Sequence, residues 1–256
     1  MIEVLWTALG VGGATVIGAV IGFLFKKVSH KFNDVIMAFA AGIMMAAAVI
    51  GLILPSLEYG KQYGGDWSVV VTVVGVFAGA MCVTLIDKIV PHLHKMSGVD
   101  SEAHPEKTEK LNKVLLFVMA IAIHNLPEGI AAGVGFGTED TGAALTIAIG
   151  IALQNIPEGM VIIAPMLAAG MTKGRAFMAA LLTGLVEVIG TLFGYLAVSI
   201  STVILPFALA FAGGTMLYVI SDEMILETHA HGSERPATYA LLIGFCLMLV
   251  MSYFLG

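Results

Sequence analysis

Residues 141–170 read TGAALTIAIGIALQNIPEGMVIIAPMLAAG, and Glu158 is the only charged residue among them. An apolar stretch of about 20 residues is long enough to cross the hydrocarbon core of a bilayer as an α-helix. The rest of the chain has the same character, since 59% of its 256 residues are hydrophobic, 12% are charged and the mean hydropathy is +0.97. In a soluble domain, about a quarter of all residues are charged. The composition therefore predicts a membrane protein.

Eight apolar stretches of this kind follow one another, separated by short polar segments. Their predicted ranges are 4–25, 34–57, 67–90, 113–136, 141–170, 175–201, 203–228 and 236–255. The polar residues left over are too few for a separate soluble domain. We therefore predict a single all-α membrane domain over residues 1–256 that spans the bilayer eight times. Nothing in the chain resembles a basic nucleic-acid-binding surface.

The lysine and arginine residues predict the orientation of the chain. Cytoplasmic segments of membrane proteins are enriched in these residues. With both termini outside the cell membrane, eleven of the 12 fall on the cytoplasmic side and only Lys61 falls outside. This topology makes the longest polar segment, 91–112, a cytoplasmic loop. Its residues His92, His94 and His104 suit a solvated segment and are compatible with weak metal capture.

Span one carries small residues at every fourth position, at Gly10, Ala14, Gly18 and Gly22. Such a ridge lets two helix backbones approach closely in lipid. We expect it to serve packing within the helix bundle, with a dimer seam as the alternative.

Two matching hexapeptides interrupt spans four and five: HNLPEG at 124–129 and QNIPEG at 154–159. On a helix, the first and fifth residues of each motif share one face, and the second lies about 100° around the axis. Two helices with these faces turned together would offer one imidazole, two carboxylates and three amides. The side chains concerned are His124, Asn125, Glu128, Gln154, Asn155 and Glu158.

The prolines of the two motifs predict irregular helices near the middle of the membrane. Pro127 and Pro157 lack an N–H group, so the carbonyls of Ile123 and Leu153 lose their usual partners. A freed carbonyl is tolerated in lipid only where another group or an ion satisfies it. We therefore expect proline-broken helices four and five to form a central metal site, as broken helices do in many transporters.

Span six adds Glu187 in the middle of an apolar helix. A buried carboxylate is costly in lipid and usually faces the bundle interior, so we assign it to the same site as a third acid. Imidazole, carboxylate and amide donors suit Zn²⁺, Fe²⁺, Mn²⁺, Co²⁺ and Cd²⁺, and a pure oxygen set would be expected for Mg²⁺ or Ca²⁺. The alternative for Asn125 and Asn155 is hydrogen bonding between helices rather than ligation.

Further polar residues outline a candidate transport path on either side of the site. Glu58 ends span two at the outer mouth, where it could gather cations or be an ordinary interfacial acid. Span seven and its cytoplasmic end supply a descending series: Asp222, Glu223, Glu227, His229 and His231. The series predicts an exit route, and the alternative is an ordinary helix end crowded with polar groups.

The paired motifs, together with ILPSLE at 53–58 and SDEMILETH at 221–229, resemble the ZIP (Zrt/Irt-like) metal transporters, most closely the prokaryotic type. The resemblance extends over the whole chain and implies metal uptake into the cytoplasm, a homodimer in the lipid bilayer and a binuclear centre. One metal position would use His124, Glu128, Gln154 and Glu158, with Met44 as a soft ligand. The other would use Asn125, Glu128, Asn155, Glu158 and Glu187.

One position departs from part of that family, because some prokaryotic members carry Asp where Asn155 stands. The second metal position should then bind more weakly, for want of one negative charge. The resemblance implies no prosthetic group beyond the transported Zn²⁺ or a similar ion. Two other functions compete with transport: a membrane-embedded metal sensor and an intramembrane metalloenzyme. The order His-x-x-x-Glu differs from the HExxH signature of metalloproteases, so we predict that the protein is not an enzyme.

Overall fold

The computed structural model describes residues 2–24, 29–96, 119, 122–137, 141–168, 170–200 and 202–255. Within these residues the chain is helical, and no β-strand is found among them. Seven helical stretches in this part are long and apolar enough to cross a membrane. The predicted all-α membrane architecture is therefore confirmed.

We number the α-helices in chain order. They are α1 (Ile2–Gly22), α2 (His30–Ala46), α3 (Leu54–Gly64), α4 (Ser68–Met96), α5 (122–135), α6 (Thr141–Ala168), α7 (Lys173–Ile200), α8 (Leu205–Val219), α9 (Ile225–Thr228) and α10 (Glu234–Leu255). The first π segment (Ala47–Ile53) joins α2 to α3, and the second π segment (Ile220–Met224) joins α8 to α9. Each junction therefore lies within one of the predicted spans.

The helices match the predicted spans to within a few residues at most ends. The third is longer than predicted, since α4 continues to Met96 and enters the range assigned to the cytoplasmic loop. Of span four, α5 and the turn that follows it are described, together with Met119. The remainder of that span, and loop residues 97–112 with His104, lie outside the described residues.

The irregular helix lies where the sequence did not predict it. Both α5 and α6 remain α-helical through Pro127 and Pro157, although proline was expected to break them. Local adjustment within a helix can accommodate a proline in the membrane. The two π segments fall instead in spans two and seven, and π turns are often found at functional sites. The second π segment carries Asp222 and Glu223, so it changes the direction of two predicted path residues.

Glycines bring the helices of the motifs into backbone contact. A Cβ added at Gly18 of α1 would lie 2.1 Å from the carbonyl oxygen of Ile156 in α6. One added at Gly129 of α5 would lie 2.3 Å from the carbonyl oxygen of Glu187 in α7. Because only glycine permits these approaches, α1, α5, α6 and α7 form a closely packed group around the polar motif residues.

A second group packs beside the first, with α2 against α10 and α4 against α8. Glycines again mediate the approach, since a Cβ at Gly42 would lie 1.9 Å from the carbonyl oxygen of Leu241. Large apolar side chains face outward elsewhere, including Phe77 at 65% exposure and Phe193 at 62%. Such a surface suits contact with lipid tails, which are as apolar as these side chains.

Candidate metal centre

The polar residues of the two motifs meet Glu187 in the interior of the first helix group. HNLPEG lies on α5, QNIPEG on α6 and Glu187 on α7. None of the following side chains is more than 1% exposed: Asn125, Glu128, Gln154, Asn155 and Glu187. Buried polar groups are costly unless they are paired, so their partners decide what this cluster can do.

Glu187 accepts hydrogen bonds from three other helices. The Thr15 hydroxyl of α1 donates to Oε1 at 2.6 Å, and Nδ2 of Asn125 in α5 donates to the same oxygen at 2.5 Å. Nδ2 of Asn155 in α6 donates to Oε2 at 2.5 Å. This carboxylate therefore ties α1, α5 and α6 to α7.

A second contact joins the two motifs directly. Nε2 of Gln154 donates to Oε1 of Glu128 at 2.7 Å. Glu128 also lies near enough to Glu158 and Glu187 for their charges to repel one another when ionised. Three carboxylates at such a site favour a bound cation, which would offset the repulsion.

Several oxygens of this cluster have no hydrogen-bond donor. Four buried oxygens are in this position among the described residues of the two motifs: Oδ1 of Asn125, Oε2 of Glu128, Oε1 of Gln154 and Oδ1 of Asn155. An unsatisfied buried acceptor costs about 1–3 kcal/mol. All four can accept only positive charge or a donated hydrogen. The donor set therefore fits a divalent cation.

His124 is turned away from this cluster. Its Nε2 lies 2.7 Å from Oε1 of Glu223 in the second π segment, and the two side chains are 13% and 34% exposed. In the described part of the chain, no three His, Cys, Asp or Glu side chains are arranged to hold a metal ion. Ligation through Nε2 of His124 would require that nitrogen to leave Glu223.

A cavity of about 700 Å³ begins at His124 and Glu158. Three of the predicted path acids line it, at Asp222, Glu223 and Glu227, and so does His231. His229 does not line this cavity: its Nδ1 lies 2.8 Å from the carbonyl oxygen of Ile225, and its Nε2 lies 3.2 Å from the Thr238 hydroxyl. The contact with Thr238 joins the end of α9 to α10.

Two residues of the cavity wall were missed by the sequence interpretation. Asp34 is only 3% exposed, and its Oδ1 lies 3.0 Å from Nδ1 of His231 while its Oδ2 has no partner. The ring of His30 stacks on that of His231, with centroids 4.7 Å apart. The available signal was an acid at the start of an apolar span, which is costly in lipid unless it has a function or a partner.

The other two predicted residues lie apart from these contacts. Met44 is 1% exposed and belongs to the apolar core, together with Ala131 and Ile151. Glu58 is exposed on α3 and does not line the cavity.

Comparisons with known proteins show which family the chain resembles. Residues 94–252 match the family model described as ZIP zinc transporter. The chain is 40% identical to zinc transporter GufA of Myxococcus xanthus, over 96% of each chain. It is 37% identical to zinc transporter ZIPB of Bordetella bronchiseptica, over 95% of this chain and 78% of that one. It is 30% identical to human zinc transporter ZIP11, over 95% and 94%.

Proposed function

The chain belongs to the ZIP zinc transporter family, and on this premise we propose that it carries divalent transition-metal cations, zinc foremost, through the membrane by way of the buried centre on α5 and α6. Cd²⁺, Fe²⁺ and Mn²⁺ are the further candidates, because imidazole, carboxylate and amide donors accept all of them. The metal is cargo, and the proposed function needs no prosthetic group.

The observation that carries this proposal is the set of four buried oxygens without a donor. All four belong to the two motifs, on Asn125, Glu128, Gln154 and Asn155. In the hydrocarbon region of a bilayer such atoms need a partner from the protein, an ordered water or an ion. A divalent cation that passes through would satisfy several of them at once. The repulsion among the neighbouring carboxylates would fall at the same time.

We assign the first metal position to the imidazole of His124 and to the oxygens of Glu128, Gln154 and Glu158. Met44 is the fifth candidate ligand, as a soft thioether. The second position implied by the family resemblance would add Asn125, Asn155 and Glu187. A metal bound through Nε2 of His124 would displace Glu223 from that nitrogen, whereas a metal bound through Nδ1 would leave the pair intact.

The cavity supports an exit toward the end of the membrane at which α2 begins. It joins His124 and Glu158 to Glu227 and His231, so a cation released from the centre would meet acids and imidazoles in succession. With the termini outside the plasma membrane, as the lysine and arginine distribution predicts, this end is cytoplasmic and the direction is uptake. A homodimer remains part of the proposal by family resemblance.

The test is uptake of radioactive Zn²⁺ into proteoliposomes, with Cd²⁺, Fe²⁺ and Mn²⁺ compared in parallel. His124→Ala and Glu158→Gln should abolish flux, because the first removes the nitrogen ligand and the second removes a charged ligand. Glu234→Gln is the matched control, since Glu234 is exposed in the first turn of α10. Flux at the wild-type level in either centre variant would contradict the site assignment.

The same experiment separates transport from the two rival functions. A sensor would bind the metal in micelles yet give no flux in proteoliposomes. The relatives named above are transporters, which favours transport over catalysis. No contact in the described residues favours a hydrolytic site.

A further inference from the structure

We infer that Glu187 is a positioning residue that fixes the amides of Asn125 and Asn155, and that the centre consequently takes one divalent cation per chain rather than two. The inference rests on the proposed function, because it concerns the occupancy of the same centre. It departs from the family resemblance, which assigns Glu187 to a second metal position.

The first step is that both carboxylate oxygens of Glu187 already accept hydrogen bonds. Both lie in the interior at 0% exposure, and three donors from three helices reach them. A carboxylate offers about four acceptor sites, so one site is left on Oε2. A cation placed on these oxygens would also face the N–H groups of two amides at short range. Their hydrogens carry partial positive charge and would repel the ion.

The second step is the orientation of the amides. Each asparagine turns its NH₂ group toward Glu187, whose oxygens accept from both. Asn155 is held doubly, since its Nδ2 also donates to the carbonyl oxygen of Val11 at 3.2 Å. A flipped Asn155 would place its oxygen against two acceptors. The amide oxygens are therefore the atoms left over, and both lack a donor.

The third step is what these fixed amides offer the cargo. We therefore add the two amide oxygens to the ligands of the single cation at the first metal position, and Glu187 holds each amide in place as an outer partner without contacting the metal. Outer partners of metal ligands typically change metal affinity by about 10- to 100-fold when they are removed. Glu187 thus acts on the cation through Asn125 and Asn155.

Position 155 decides the number of cations. An aspartate there would have no N–H group for Glu187 or for Val11. Its carboxylate would lie against that of Glu187, in the place where the 2.5 Å hydrogen bond now runs. Two adjacent buried carboxylates repel unless a cation or a proton lies between them. An added acid should therefore open the second position that asparagine closes.

The experiment measures bound metal per chain after equilibrium dialysis of the full-length protein in detergent, with Cd²⁺ and Zn²⁺ as the probes and elemental analysis as the readout. We expect one ion for the wild type and two for Asn155→Asp. Two ions in the wild type, or one in Asn155→Asp, would overturn the inference. If Asn155→Asp does not fold, Asn125→Asp places the same charge against Glu187 and carries the same expectation.

A wild-type chain that binds no ion at all would instead overturn the proposed function. One bound ion and normal flux in His124→Ala would also overturn the proposed function. Transport would then not need the proposed centre, although the number of bound ions would still agree with the inference. The two failures are therefore distinguishable.

The positioning role has its own readout. Glu187→Gln should keep one ion and weaken its affinity by about 10- to 100-fold, whereas a ligand of a second metal would lower the count from two to one. Thr15→Val removes a donor to Glu187 without touching a candidate ligand, and should weaken the affinity severalfold. Thr183→Val is its matched control, because this buried threonine bonds only to the carbonyl of Ala180 in its own helix. Equal affinities in the two threonine variants would contradict the positioning role.

Discussion

Replacement of Gly18 by alanine tests whether the packing of α1 on α6 sets the geometry of the centre. A Cβ at this position would lie 2.1 Å from the carbonyl oxygen of Ile156 and 2.9 Å from its carbonyl carbon. Ordinary contact begins near 3.4 Å. The two helices must therefore separate locally by the difference between 3.4 and 2.1 Å, about 1.3 Å, and Ile156 lies inside QNIPEG.

The expected losses of stability and of metal affinity follow from the overpacking and from the hydrogen bond that the separation stretches. Overpacking of a well-packed interior typically costs about 1–3 kcal/mol, so we expect the free energy of unfolding to fall by about that amount. The hydrogen bond from Nδ2 of Asn155 in α6 to the carbonyl oxygen of Val11 in α1 crosses this interface and is 3.2 Å long. A separation of about 1 Å takes it beyond hydrogen-bond distance, and Asn155 then loses one of the two bonds that orient its amide. Loss of such supporting bonds lowers metal affinity by about 10- to 100-fold.

The assay combines Cd²⁺ titration with denaturant unfolding, both in the same detergent. Gly10→Ala is the matched control, since it lies on the same helix and an added Cβ there meets nothing within 4 Å. The control should match the wild type in both measurements. A Gly18→Ala protein with wild-type affinity and stability would refute the claim that backbone contact at this glycine holds the site together.

Two further variants test the path from the centre. Asp34→Asn should lower the rate of uptake and leave the number of bound ions unchanged, because Asp34 lines the cavity without contacting the centre; a reduced count would place it among the ligands instead. Glu223→Gln should raise metal affinity by about fivefold in a Cd²⁺ titration, since a neutral partner holds His124 away from the centre about 1 kcal/mol less strongly. An unchanged or weaker affinity would show that the His124–Glu223 pair does not compete with metal.

The small-residue ridge of α1 shows what sequence spacing can and cannot predict about helix packing. Its fourfold period predicted close helix packing, and Gly18 and Gly22 do meet backbone oxygens of α6. Gly10 belongs to the same fourfold series, but a Cβ added there would meet nothing within 4 Å. Packing within the bundle is the observed role of the first two. The period alone could not distinguish them, because it states which residues share a face and not how far the partner helix extends.

The sequence by itself determined the membrane architecture, and it predicted which buried acids belong to the candidate centre. A span is a local property, since each helix satisfies its own backbone and needs only enough apolar residues to cross the lipid. The cost of a buried acid is local in the same sense, which is why Glu128, Glu158 and Glu187 could be selected without a partner in view. The hexapeptide spacing likewise placed His124 and Glu128 on one helix face.

Only the tertiary structure decided which of these residues touch. Glu187 accepts from Thr15 across 172 positions and from Asn125 across 62. His124 pairs with Glu223 across 99 positions, and Asp34 with His231 across 197. Such pairings depend on the rotation of each helix about its axis and on the closeness of its neighbours. Hydropathy fixes neither quantity in a bilayer, because lipid and protein interior are almost equally apolar and packing makes the choice.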